Sequence, residues 1–244
     1  MHLDVVDLRD FYYGTDLGRS AATAIGQQVA ALWENPRVET LLGFGFAVPV
    51  MRPLMVRAQR SIALMPGQQG VMHWPDEGDN ISALCGETQW PLPSGIADRI
   101  IVMHALETSE RPDAVLEECG RVLAPAGRVI LVVPNRSGLW ARREATPFGT
   151  GRPYSLGQLE RQLLRHGLAA ERHLAALFFP PSARRFWLRS AATCEKLGRR
   201  ISSYYAGGVI LVEATKAPQT PGTTGLRNAV RKPLPVREGV AKPA

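Results

Sequence analysis

The 244-residue chain is poor in cysteine. Cys85, Cys119 and Cys194 are its only three. They lie far apart and show no metal-ligand spacing, and an odd, sparse set fits buried thiols in a reducing, cytoplasmic setting. Long apolar runs are also missing, and no stretch reaches the length of a membrane-spanning helix. The start, Met1-His2-Leu3-Asp4-Val5-Val6-Asp7, lacks the basic opening and apolar stretch of a secretory signal. No internal repeat is visible, which argues against a solenoid or propeller. Acidic residues are short by seven relative to basic ones, giving a net charge of +7. The excess sits at the C-terminus, where Lys216, Arg227, Arg231, Lys232, Arg237 and Lys242 face only Glu238. The body is therefore close to neutral, which speaks against a specific nucleic-acid surface.

Hydrophobic residues make up 45% of the chain, the share expected of one globular core. The pattern reads as one domain over residues 1–215. A Pro-, Thr- and Gly-rich basic tail over 216–244 offers too few apolar groups to fold alone. Arg19 to Trp33 has helical spacing, with Ala22, Ile25, Val29 and Leu32 on one face and Asn35-Pro36 as the stop. Asp10 to Thr15, before it, reads as a loop. Strands are expected at Val38–Phe44, Arg60–Met65 and Asn80–Cys85, with a short helix from Pro49 to Gln59. Asp98 then opens a buried strand ending at Met103. Pro112 stands where a first-turn proline belongs, and Val115, Leu116, Cys119, Val122 and Leu123 recur at helical spacing. Ala124-Pro125-Ala126-Gly127 then breaks the chain's regular structure, and Arg128–Val133 is the next strand. Such a strand–helix–strand unit makes a right-handed parallel crossover. Ser155, with Gln158 three residues on, begins a helix ended by Gly167. Glu171–Phe178 and Gly207–Glu213 read as a late antiparallel pair, with a basic helical segment, Ser182 to Tyr205, between them. The alternation gives an α/β chain with a mostly parallel sheet and helices on both faces.

Between Trp90 and Asn135, Trp90-Pro91-Leu92, Asp98, Leu106-Glu107 and Arg121-Val122-Leu123-Ala124-Pro125-Ala126-Gly127 resemble the second half of class I S-adenosylmethionine-dependent methyltransferases of the small-molecule type 11 group. The resemblance implies a Rossmann-like methyltransferase sandwich of seven strands, the last one antiparallel. It implies S-adenosylmethionine as cofactor and a small-molecule acceptor. It also places the cofactor at the glycine turn after the first strand, where Gly43, Phe44, Gly45 and Ala47 stand for the family's Gly-x-Gly-x-Gly. Two family carboxylates are absent. Leu41 stands where an acid usually precedes the first glycine, and Met65 where an acid usually accepts the ribose hydroxyls. Such charge-assisted bonds contribute about 1.5–3 kcal/mol each, so the loss implies roughly 10- to 100-fold weaker binding. Glu87 stands near the adenine position, and Met103 and His104 near the methyl-bearing sulfur.

Methyl transfer needs little acid–base help when the acceptor is already nucleophilic, so no constellation is required. His104 is the candidate base for an O- or N-acceptor, and equally a hydrogen-bonded histidine in a strand-end turn. Tyr12 and Tyr13, in the segment that covers the cofactor in this family, and Trp140 and Tyr154, after the fifth strand, are candidate substrate contacts or ordinary packing residues. No Asn-Pro-Pro-Tyr-like motif for base methylation is present. Three readings stay open: a methyltransferase, a non-catalytic methyltransferase-like binding or scaffold module, and a nicotinamide-dependent oxidoreductase. The basic tail and the Ser182–Tyr205 segment are candidate sites for a protein partner.

Overall fold

The computed structural model describes residues 3–34, 38–200 and 206–217. Seven strands form one sheet: β1 (Val38–Gly45), β2 (Ala58–Pro66), β3 (Ser82–Cys85), β4 (Ala97–Met103), β5 (Leu123–Pro134), β6 (Leu168–Ala176) and β7 (Val209–Lys216). Their order is β3-β2-β1-β4-β5-β7-β6. β7 is antiparallel to both its neighbours, and the remaining pairs are parallel. β1 and β4, the two clearest strands in the sequence, are direct neighbours, with Leu41 opposite Arg99 and Gly45 opposite Met103. The chain order reverses here, so the carboxyl ends of β1 and β4 form the switch point of the sheet.

Six α-helices flank the sheet: α1 (Val5–Arg9), α2 (Asp16–Leu32), α3 (Val48–Met55), α4 (Pro112–Val122), α5 (Leu156–Arg165) and α6 (Arg185–Arg200). The two faces of the sheet bury separate apolar clusters. One holds Ile25, Val29, Met51 and Trp140, and the other Val115, Leu116, Leu159 and Leu163. The central strands read as apolar runs because both their faces are covered. Ser155 caps α5 as expected, its hydroxyl accepting from Gln158 N at 3.3 Å.

Two expectations need correction. The segment Asp10–Thr15 is not a loop: α1 runs into a π-helical turn, Asp10–Gly14, which leads directly into α2. Its polar and aromatic letters carry no helical period, but Gly18 allows it to double back. A Cβ there would collide with the Phe11 carbonyl and lie 2.9 Å from Tyr12 Cα. Nor does Ala124–Gly127 end the chain's regular course. β5 begins already at Leu123, paired with Ala97, and the four residues form an irregularity before Arg128 pairs with Arg99. Of the basic segment Ser182–Tyr205, residues 185–200 form α6, while 201–205 lie outside the described residues, as do Asn35-Pro36 and the tail from 218 onward.

The family-like letters prove to be structural joints. Arg121 donates to the carbonyls of Trp90 at 3.0 Å and Leu92 at 2.8 Å, and pairs with Glu118 at 2.7 Å. Glu118 in turn accepts from Trp90 N at 2.6 Å. Asp98 accepts from the amides of Glu39 and Thr40 at 3.0 and 2.9 Å, which locks the starts of β1 and β4 together.

Away from the switch point, in β7 between β5 and β6, Glu213 is fully buried. It accepts from Trp33 Nε1 at 3.0 Å, Arg128 at 3.1 Å and Arg172 at 2.6 Å. Burial pushes this carboxyl up, but the two guanidiniums outweigh burial and hold it below the ordinary range. The stability it contributes is therefore complete above the unfolded carboxylate value of about 4.3, and is lost as pH falls through the lower folded value. Glu213→Gln should cost about 2–3 kcal/mol at pH 7, a buried-pair cost discounted because both arginines are half exposed. Urea denaturation at pH 7 and at stepwise lower pH checks this. The variant should also lose part of the acid sensitivity below pH 4.3, and an unchanged acid profile would contradict the assignment.

Candidate functional site

The site is built where β1 and β4 end. β1 leaves the sheet through Gly45, whose φ of 77° lies in the left-handed region that glycine adopts freely. A side chain there would drive into the Met103 carbonyl and come within 2.8 Å of Ala105 Cβ. Phe46 N donates to that same Met103 carbonyl at 2.8 Å. The turn is thus sewn to the end of β4, and α3 begins immediately after Ala47. Next to it, His104 carries a φ of 53°, a strained conformation for a side-chain-bearing residue that costs about 1 kcal/mol. Its carbonyl accepts from Gln69 Nε2 at 2.9 Å.

This turn points the imidazole into a buried polar array. His104 Nε2 lies 2.7 Å from the hydroxyl of Tyr12, and Nδ1 lies 3.2 Å from Glu107 Oε1. All three side chains are buried. Burial first, and Glu107 second, push the Tyr12 phenol well above its usual value. Tyr12 is therefore a neutral phenol whose hydroxyl shares a hydrogen bond with Nε2, while Nδ1 faces Glu107. That contact is close but poorly directed, and neither Glu107 oxygen makes a well-formed hydrogen bond among the described residues. A buried carboxyl left in this condition is costly and makes Glu107 a candidate site residue. Aromatic rings enclose the array. Phe148 lies 4.8 Å from the imidazole, Tyr12 stacks on Phe46 at 5.8 Å, and Trp140 meets Phe148 edge-on at 5.5 Å.

The structure thus brings together His104, Met103, Gly45, Tyr12 and Trp140 of the residues singled out in the sequence. The rest are placed differently. Gly43 faces the sulfur of Met51 beneath α3. Phe44 is buried against Trp90 on the other side of the sheet, with ring centres 4.4 Å apart. Ala47 and Met65 are buried in the core. Glu87, away from the imidazole, lines the small space beyond the strand ends, where Phe44 also reaches. Tyr13 points outward, 41% exposed. Tyr154 packs in the opposite apolar cluster, and burial pushes its phenol up to about 12. Sequence reasoning left Glu107 and Gln69 without a role. Glu107 stood in the family-like Leu106-Glu107 pair three residues after His104, and that spacing was the available signal. Gln69 had none.

The fold implies S-adenosylmethionine, and the residues present do not fit it in this arrangement. The glycine turn and the switch point supply a suitable backbone. The space beyond the strand ends, lined by Phe44, Pro66, Gln69, Glu87, Ala105 and Thr108, measures about 20 Å³. Pockets for ligands of drug-like size hold at least roughly 300 Å³. The chain itself takes up the difference. Leu3, just before α1, and Gln69 line this space, Val5 N donates to the Gln69 carbonyl at 2.7 Å, and Gln69 and Tyr12 both bond to His104. Met65, at the end of β2, offers no oxygen for ribose hydroxyls.

Tyr12→Phe keeps the ring and removes only the hydroxyl. It should destabilise the protein by about 1–3 kcal/mol, because a buried imidazole nitrogen loses its hydrogen-bond partner. Chemical denaturation checks this, and equal stability would show that the hydrogen bond holds nothing in place.

Residues 63–131 match the type 11 family described as a methyltransferase domain. No curated protein matches the chain. Among solved structures it resembles a Thermotoga maritima S-adenosylmethionine-dependent methyltransferase described as a possible histamine N-methyltransferase, at 17% identity and a TM-score of 0.58, over 82% of this chain and 91% of that one. A chain of the Haloferax volcanii complex between the Trm112 methyltransferase activator and a methyltransferase aligns at 17% identity and a TM-score of 0.60, covering 86% and 97%. The geranyl diphosphate C-methyltransferase of Streptomyces coelicolor aligns at 15% identity and 0.53, covering 79% and 77%. Strand order, switch point and structural neighbours together give this chain the class I methyltransferase fold, and its residues 63–131 are similar to the type 11 methyltransferase domain.

Proposed function

We propose that the chain is a methyltransferase acting on a small molecule and that its N-terminal segment holds the cofactor cleft closed. The observation that carries this reading is His104: a strained, buried imidazole at the switch point, backed by Glu107 on one nitrogen and touched by a hydroxyl on the other. An imidazole so placed can take a proton from an acceptor O–H or N–H at Nε2, and Glu107 stabilises the imidazolium that results. In the closed form the Tyr12 hydroxyl holds the position that an acceptor hydroxyl would take. The family implies S-adenosylmethionine as methyl donor. Because the closed cleft does not admit it, Tyr12 and Gln69 must first move aside. Two of the structural neighbours bear small-molecule names, histamine and geranyl diphosphate, which supports that acceptor class.

The second reading is a non-catalytic module, favoured by one observation: the cleft is filled, and Met65 stands where an acid should hold the ribose. Calorimetric titration with S-adenosylmethionine separates the two. The intact chain should bind weakly, and Tyr12→Ala combined with Gln69→Ala should bind at least tenfold more tightly, its fold checked by circular dichroism. Absence of binding by both proteins at millimolar ligand would leave the non-catalytic reading. Tight binding by the intact chain, unchanged in the variant, would refute the closure.

A further inference from the structure

Between α2 and α6 the surface opens into a groove of about 580 Å³. Its floor is apolar and partly buried, formed by Ala24, Phe179, Leu188 and Ala191. Its rim is cationic. Arg185, Arg189 and Lys196 project from α6 at spacings of four and seven residues, which puts them along one side of the helix. The two carboxylates in the groove are already engaged. Asp16 pairs with Arg19 at 2.5 Å, and Glu195 is buried and accepts from Phe178 N at 2.6 Å. Among the described residues, Arg185, Arg189 and Lys196 have no carboxylate partner. Arg185 and Arg189 lie one turn apart, where like charges destabilise a helix. An anion between them would offset that repulsion and could be gripped by two guanidinium forks.

We propose that this groove binds an anionic amphiphile. Its phosphate or carboxylate head meets Arg185 and Arg189, and its apolar body lies along Ala24, Phe179, Leu188 and Ala191, with Lys196 adding attraction further along the rim. The volume suits a ligand of this size class, and the combination of apolar lining with a few convergent charges is that of a small-molecule site. The inference is independent of the methyltransferase reading, because it needs neither His104 nor the closed cleft.

Calorimetry on the full chain with decyl phosphate, kept below its micelle concentration, tests it. Decyl phosphate should bind at least tenfold more tightly than decanol, which lacks the head, and than inorganic phosphate, which lacks the body. Arg185→Gln combined with Arg189→Gln should weaken decyl phosphate at least tenfold. Ala192→Trp, at an exposed position of the groove wall, should block it without lowering the melting temperature. Unchanged affinity in both variants, or decyl phosphate binding no better than decanol or phosphate, would overturn the proposal. So would attachment to phosphatidylglycerol vesicles with no binding of monomeric decyl phosphate, which would make α6 a surface anchor instead.

Discussion

The hydroxyl of Tyr12 and Nε2 of His104, 2.7 Å apart, tie the N-terminal segment to the sheet where β1 and β4 part. On one side of this bond lie α1 and the π-helical turn. On the other lie the strained His104, the Met103 carbonyl that anchors the glycine turn, and Glu107. The aromatic packing of Phe46, Phe148 and Trp140 closes around it. A hydrogen bond between neutral groups contributes only about 1 kcal/mol net, but leaving either partner buried and alone costs more. Closure is therefore held by the penalty of opening into a dry space. A ligand that supplies its own hydroxyl to His104 and its own apolar surface to the rings removes that penalty.

The two ends of the sheet are built on opposite principles. At the far end, Glu213 satisfies Trp33, Arg128 and Arg172 together, and α2, β5, β6 and β7 are fixed by one fully bonded carboxylate. At the switch point, Glu107 is as buried but poorly bonded, and His104 sits in a conformation that its side chain disfavours. A satisfied buried charge rigidifies, whereas an unsatisfied one stores free energy that a ligand can release. The contrast supports the proposal that function lies at the Glu107 end and support at the Glu213 end.

The strands and the crossover were legible because both faces of the central sheet are buried, so Ile100–Met103 and Val129–Val133 had to be apolar throughout. The number of strands and the antiparallel last one came with the resemblance, carried by Trp90, Asp98 and Arg121, which the structure explains as fasteners between loop, strand and helix. The site was legible only in part. His104 and Tyr12 stood out as residue types, but nothing local says that positions 92 residues apart meet. Gln69 gave no signal, because a glutamine in a turn after Pro66-Gly67 looks like solvent-exposed loop. The glycines suggested room for a ligand, yet Gly45 admits the backbone of β4 instead. A glycine pattern records that something approaches closely, without saying whether it is cofactor or chain.

The proposed closure puts the N-terminal segment where the cofactor must enter. Val5 Cβ would lie 3.9 Å from a Cβ on residue 70, a separation that a disulfide spans. The double variant Val5→Cys, Gly70→Cys therefore offers a lock on the closed form, at a cost of about 1 kcal/mol for a side chain at the left-handed Gly70. Titrating the oxidised and reduced forms with S-adenosylhomocysteine tests the claim directly. The account predicts binding by the reduced protein and none by the oxidised one. Equal binding by the two forms would show that the cofactor enters without moving α1, and would contradict it.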